Sequence, residues 1–152
     1  MTNVRLAVDA SSISPRTSGP ATGDIVLMLG SVAFPVAGWN DFVVVILEAW
    51  LNALLRLVRE TSETERVHFM EGPYAVDLMH LDSGAIRIRA IERPNRQHAV
   101  ADVPLLSLVE NAVAMTDDVL AVCRKKAHRT TDVDRLEAVT AALRREVPKL
   151  TN

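Results

Sequence analysis

Three side chains that could carry chemistry, His68, Asp77 and Arg89, are predicted to lie side by side on one face of a β-sheet. A carboxylate can orient a histidine general base and stabilise its charged form, and an arginine can hold an anion beside them. The same row can also be a set of complementary cross-strand charges, each pair stabilising the sheet by a few tenths to about 1 kcal/mol. We favour the structural interpretation, because no nucleophile with a recognisable motif accompanies the row.

The predicted row depends on the register at two turns. A two-residue turn at Gly72-Pro73 places His68 opposite Asp77. At the next turn, a three-residue loop with Gly84 in the left-handed conformation places Arg89 opposite Asp77. This register keeps charges off the apolar face, whereas a one-residue slip would exchange the two faces.

A metal site and a reactive thiol are the other chemical candidates. Strand alternation places His80 and Asp82 on one face, but two ligands do not make a metal site and no His or Cys cluster supplies the others. Cys123 precedes a basic run that could lower its pKa, yet its position on an apolar helical stripe predicts a buried, inert thiol. We therefore predict no metal, no cofactor, no catalytic residue and a protein that is not an enzyme.

Length and charge restrict the function classes. The chain has 152 residues, which predicts one domain over residues 1–152 that buries about 70% of its unfolded surface. One cysteine leaves no intramolecular disulfide, as is typical of cytoplasmic proteins. The net charge of −2 predicts neither a nucleic-acid-binding nor a membrane-binding surface. The most apolar helical stretch, residues 42–58, carries a polar stripe typical of a buried helix in a soluble domain.

The elements that must position the row indicate an α+β fold. The serine-, threonine- and proline-rich segment 10–23 reads as a long loop. A buried helix is predicted over residues 41–59, begun by Asn40 as N-cap. Segments in which apolar and polar residues alternate predict a mostly antiparallel sheet, a meander of about five strands. Apolar residues at helical spacing after residue 104 predict two C-terminal helices packed on this sheet.

One set of residues resembles a known class of proteins. The run Phe34-Pro35-Val-Ala-Gly-Trp-Asn-Asp-Phe42, an apolar helix containing Trp50, and Gly72-Pro73-Tyr74 opening a strand resemble small bacterial immunity proteins of polymorphic toxins, in particular those of contact-dependent growth inhibition. The resemblance implies binding and blocking, in the cytoplasm, of a cognate toxin C-terminal domain, which in such systems is often a nuclease. It implies no particular interface residues. Inhibitors of basic nucleases are often strongly acidic, and this chain is not.

A binding function would use the exposed face of the predicted meander, where polar and apolar side chains are mixed. The candidate partner-binding residues are Arg66, His68, Met70, Asp77, Met79, Arg87 and Arg89. Two alternatives stay open. A small enzyme would need His68 with Asp77, or His80 with Asp82, in a concave pocket. A self-associating accessory protein would pair the same face with a second copy of itself.

Overall fold

A computed structural model describes residues 3–17 and 19–150. Within them the fold is α+β, as predicted, but the strands form two antiparallel sheets of four strands each. The elements are β1 (Val4–Ser14), β2 (Thr22–Leu29), β3 (Val32–Phe34), β4 (Asn40–Asp41), α1 (Val43–Val58), β5 (Thr64–His68), β6 (Tyr74–His80), β7 (Ala85–Glu92), β8 (Arg96–Pro104), α2 (Leu105–Lys125) and α3 (Thr131–Leu150).

The first sheet contains β1 to β4, and here the predicted loop over residues 10–23 was wrong. β1 continues to Ser14 and β2 starts at Thr22, so the described part of the connection is short; residue 18 lies outside the described residues. The polar end of β1 shows no apolar alternation because its register shifts there. It is held by buried Ile13 and by the Ser12 hydroxyl, which accepts a hydrogen bond from the Asp24 amide at 2.7 Å.

The second sheet is the meander β5-β6-β7-β8. The predicted register between β6 and β7 is confirmed: Asp77 pairs with Arg89, and Leu78 pairs with Ile88. Gly84 in the connecting turn has a φ of 78°, the left-handed conformation that the prediction required.

Between β5 and β6 the predicted register was wrong by two residues. Arg66, not His68, pairs with Asp77, and His68 pairs with Ala75. A two-residue shift leaves the apolar side chains on the same face, so hydrophobic patterning could not detect it. The connection is longer than predicted because the amides of Met70 and Glu71 leave the strand and donate to the Asp41 carboxylate.

Helix α1 is the centre of the core. Its buried side chains include Trp50, Leu51 and Leu54, each with no exposed surface, and it packs against the other two helices and both sheets. Asn40 is not its N-cap: the helix begins after Phe42, with no side-chain capping bond. The sequence placed Asp41 at the helix terminus, whereas the structure turns this carboxylate inward, where it is 2% exposed.

Helix α2 lies along β1 and protects the edge of the first sheet. The side-chain amide of Asn111 donates to the Leu6 carbonyl oxygen at 3.1 Å and accepts from the Leu6 amide at 2.7 Å. An amide side chain thus takes the place that a neighbouring strand would occupy on an open edge.

Two buried threonines in the C-terminal helices differ in hydrogen bonding. Thr140 donates its hydroxyl to the Leu136 carbonyl oxygen at 2.6 Å, whereas the Thr116 hydroxyl is buried without a partner. We expect Thr116→Val to raise the free energy of unfolding by about 1 kcal/mol, because it removes an unpaired buried hydroxyl at nearly constant shape and helix propensity. Urea denaturation measures the change. Thr140→Val is the matched control, and an equal gain there would contradict the explanation.

Candidate functional site

The candidate site is the outer face of the second sheet, the side directed away from the apolar core. Cross-strand pairing arranges its side chains in rows across β5, β6, β7 and β8. The first row is Thr64, Met79, Arg87 and Asp102; the second row is Arg66, Asp77, Arg89 and Val100. We call these two rows the outer face.

Ion pairs between neighbouring strands give the outer face its charge pattern. Arg66 donates to both carboxylate oxygens of Asp77, at 2.6 and 3.0 Å. Arg87 binds Asp102 in the same bidentate way, at 2.8 and 3.1 Å. The hydrogen bonds from Arg87 hold the pKa of Asp102 below its usual value, and Asp77 raises the pKa of Arg66.

Arg89 is the least neutralised cation of the outer face. Its closest carboxylate oxygen is Oδ2 of Asp77, at 3.5 Å, on a carboxylate that already binds Arg66 bidentately. The Nε atom of Arg89 is buried and has no hydrogen-bond partner, while the side chain as a whole is 43% exposed.

Two hollows flank the arginines of β7. One, of about 420 Å³, is bordered by β5 and β6 and includes Met79. The other, also about 420 Å³, lies toward β8 and includes Val100. Arg87 and Arg89 border both hollows and so form a ridge between them.

Five of the seven candidate residues lie together at the first hollow: Arg66, Asp77, Met79, Arg87 and Arg89. Met70 does not belong to the rows of the outer face, because it lies beyond the end of β5 and its amide donates to the Asp41 carboxylate. The sequence interpretation missed Val100 and Asp102. The complementary charges of Arg87 and Asp102 were the available signal, but using it required the register between β7 and β8.

The predicted pairing of His68 with Asp77 was wrong. His68 lies in the next row, opposite Ala75, and Ala75 in turn pairs with Ile91. Both of these neighbours are fully buried, and the His68 Nδ1 atom is buried without a hydrogen-bond partner. Burial, together with the positive charges of Arg93 and Arg66, lowers the pKa of His68 despite the opposing effect of Asp77.

This lowered pKa makes stability pH-dependent. Below pH 6.5 the unfolded chain binds a proton at His68 that the folded protein excludes, so the free energy of unfolding falls as the pH drops from 6.5 toward the folded-state pKa. We expect Arg93→Gln to raise the pKa of His68 and to reduce this loss of stability. An NMR titration of the imidazole measures the pKa, with Arg96→Gln as control. An unchanged titration in Arg93→Gln would contradict the electrostatic cause.

The second histidine candidate lies elsewhere. His80 and Asp82 border a separate hollow of about 590 Å³ together with Glu60 and Glu63. The His80 Nδ1 atom lies 3.3 Å from the Leu81 carbonyl oxygen. Over residues 3–17 and 19–150, no group of three or more His, Cys, Asp or Glu side chains is arranged to hold a metal ion.

Cys123 is a core residue, as predicted. It is 1% exposed, and burial raises the pKa of its thiol. A thiol that resists deprotonation is a poor nucleophile, so the neighbouring basic residues do not activate it.

Three aromatic residues of the immunity-protein resemblance, Phe34, Trp39 and Tyr74, join the two sheets. The Phe34 ring lies edge-on to Tyr74, with centroids 5.6 Å apart, and Trp39 is edge-on to the same ring at 5.3 Å. Asp41, in the same run, accepts hydrogen bonds from the Trp39 indole and from two amides that follow β5. These residues therefore have a structural role in this chain.

Comparison with protein-family models, with curated proteins and with solved structures finds no match for this chain. Among the helices of the described residues, none has the length and apolar character needed to cross a bilayer.

Proposed function

We propose that this protein is an immunity protein that binds a cognate toxin domain in the cytoplasm and blocks it by occupying its surface. The observation that carries the proposal is the outer face of the second sheet. Arginine, methionine and valine side chains are exposed together there, on neighbouring strands of one sheet. Interface cores are enriched in arginine and methionine, and arginine is over-represented among the residues that carry most of the binding energy.

Two features favour binding over catalysis. The general base that the sequence suggested lacks its orienting carboxylate, because Asp77 is bound by Arg66 and His68 lies in another row. Arg66 and Arg87 are held by cross-strand ion pairs with Asp77 and Asp102, which gives this part of the outer face a fixed pattern of charge for recognition.

Co-expression tests the proposed function directly. The test takes any large secreted protein whose reading frame lies immediately upstream of this one, and produces its C-terminal domain in the same cell with and without the chain. We expect the chain to restore growth and to co-purify with that domain, whereas a toxin domain from an unrelated system is neither neutralised nor bound. Growth arrest that persists in the presence of the chain would contradict the proposal.

Self-association by the outer face predicts a different result. Light scattering of the purified chain at micromolar concentration separates the two functions. A monomer agrees with an immunity protein whose outer face is free for its partner, and a stable dimer would favour the accessory-protein alternative.

A further inference from the structure

We propose that the ridge formed by Arg87 and Arg89 recognises a carboxylate on the partner protein, flanked by apolar side chains that fill the two hollows. This inference rests on the proposed function and specifies the chemistry of the surface that the outer face would bind. It commits to one occupant, an acidic and apolar protein surface.

Unequal pairing of the arginines is the first argument. Arg66 and Arg87 each bind a carboxylate through two hydrogen bonds, whereas the closest carboxylate oxygen to Arg89 is 3.5 Å away. A guanidinium carries five N–H donors in a planar fork that matches a carboxylate. The Nε atom of Arg89 is buried, so its terminal N–H groups are the donors that it can offer to an incoming carboxylate, and they are less engaged than those of Arg66 and Arg87.

The charge balance of the outer face is the second argument. Its rows contain three arginines and two aspartates, a net charge of +1. Glu65 also borders the first hollow, but it binds Arg56 and Ser62. A second copy would bring another net positive face and no unpaired carboxylate, so charge complementarity favours an acidic partner over self-association.

The positions of the exposed apolar side chains are the third argument. Met79 is 40% exposed at one hollow and Val100 is 48% exposed at the other, with the arginine ridge between them. Apolar contacts on both sides of an ion pair exclude water from it and strengthen it. The arrangement therefore fits a carboxylate with an apolar group on each side.

An NMR titration with small probes tests this recognition chemistry without the toxin. The probes are 4-phenylbutyrate, which joins an apolar ring to a carboxylate, 4-phenylbutylamine as the matched cation, and inorganic phosphate. We expect phenylbutyrate to shift the Nε–H signals of Arg87 and Arg89 and the amide signals of Met79 and Val100. Arg89→Gln and Arg87→Gln should each weaken its binding by about fivefold, the size of a partly exposed ion pair. Arg145→Gln, on the exposed side of α3, is the control and should leave binding unchanged.

The remaining outcomes overturn the inference. Equal binding of phenylbutylamine would exclude carboxylate recognition, and stronger shifts with phosphate would indicate a phosphate or nucleic-acid ligand. Shifts of the NMR signals of the outer face on raising the protein concentration alone would indicate that a second copy binds there.

In co-expression, Arg89→Glu should abolish neutralisation of the toxin. Full neutralisation by this variant would reject the carboxylate site while leaving the immunity function intact. Failure of the unmodified chain to neutralise the toxin rejects the function itself.

Discussion

Replacing Asp41 by asparagine is expected to lower the free energy of unfolding by about 3 kcal/mol. The carboxylate is 2% exposed and accepts four hydrogen bonds. Its Oδ2 atom accepts from the Trp39 indole at 2.9 Å and from the amides of Met70 and Glu71 at 3.1 and 3.0 Å. Its Oδ1 atom accepts from the Phe42 amide at 2.7 Å.

The physical reason is that every hydrogen-bond partner of the Asp41 carboxylate is an N–H donor. An asparagine that presents its oxygen to the three donors at Oδ2 must place its own NH₂ group against the Phe42 amide, and it loses the charge that strengthens the other bonds. Because Asp41 ties the start of α1 to the segment after β5, the loss would loosen the junction of the two sheets.

Urea denaturation of Asp41→Asn measures this effect. The matched control is Asp24→Asn, since Asp24 accepts a side-chain bond from Asn40 in an exposed position, and we expect a change within about 0.5 kcal/mol there. If the two variants lose the same stability, Asp41 is not the anchor described above.

Removal of the Asn111 side chain is expected to lower the free energy of unfolding by about 2 kcal/mol. Asn111→Ala leaves both the amide and the carbonyl of Leu6 without their partner at a partly buried strand edge. The higher helix propensity of alanine, worth about 0.5 kcal/mol, offsets a small part of the loss. The unpaired edge of β1 also becomes available to other chains, so we expect faster aggregation on heating.

Glu110→Ala is the matched control for Asn111→Ala, because Glu110 is the adjacent, exposed residue of the same helix and its replacement by alanine gains only a small part of the helix propensity. Asn111→Asp adds a second comparison: it keeps an acceptor for the Leu6 amide but sets a carboxylate against the Leu6 carbonyl oxygen, and should also lose stability. Unfolding free energy and light scattering on heating report the two effects. An Asn111→Ala variant as stable as Glu110→Ala would show that the edge contact contributes nothing.

Both residues mark a limit of sequence interpretation. The predicted helix over residues 41–59 puts Asp41 at a helix terminus, and no sequence pattern singles out Asn111. The partners that local pattern does not reveal are remote in the chain: Glu71 lies 30 residues from Asp41, and Leu6 lies 105 residues from Asn111. Local pattern carries no information on contacts over such separations.

Periodicity and turn chemistry did determine the fold class, the buried central helix, the two C-terminal helices and the register of β6 against β7. That register was accessible because Gly84 and the apolar face allowed only one clean pairing. The same reasoning identified Arg66, Asp77, Met79, Arg87 and Arg89, which share one face of the sheet.

Only the tertiary structure decided which of these residues pair with one another across neighbouring strands. A register shift of two preserves the apolar face, so the sequence could not distinguish His68 from Arg66 as the partner of Asp77. The choice is made by Asp41, which draws the amides of Met70 and Glu71 out of the strand and lengthens the turn. Strand alternation therefore determined which side chains lie on the outer face. The buried carboxylate of Asp41, in the other sheet, decided which of them share a row. Asp77 consequently lies between Arg66 and Arg89, and not beside His68.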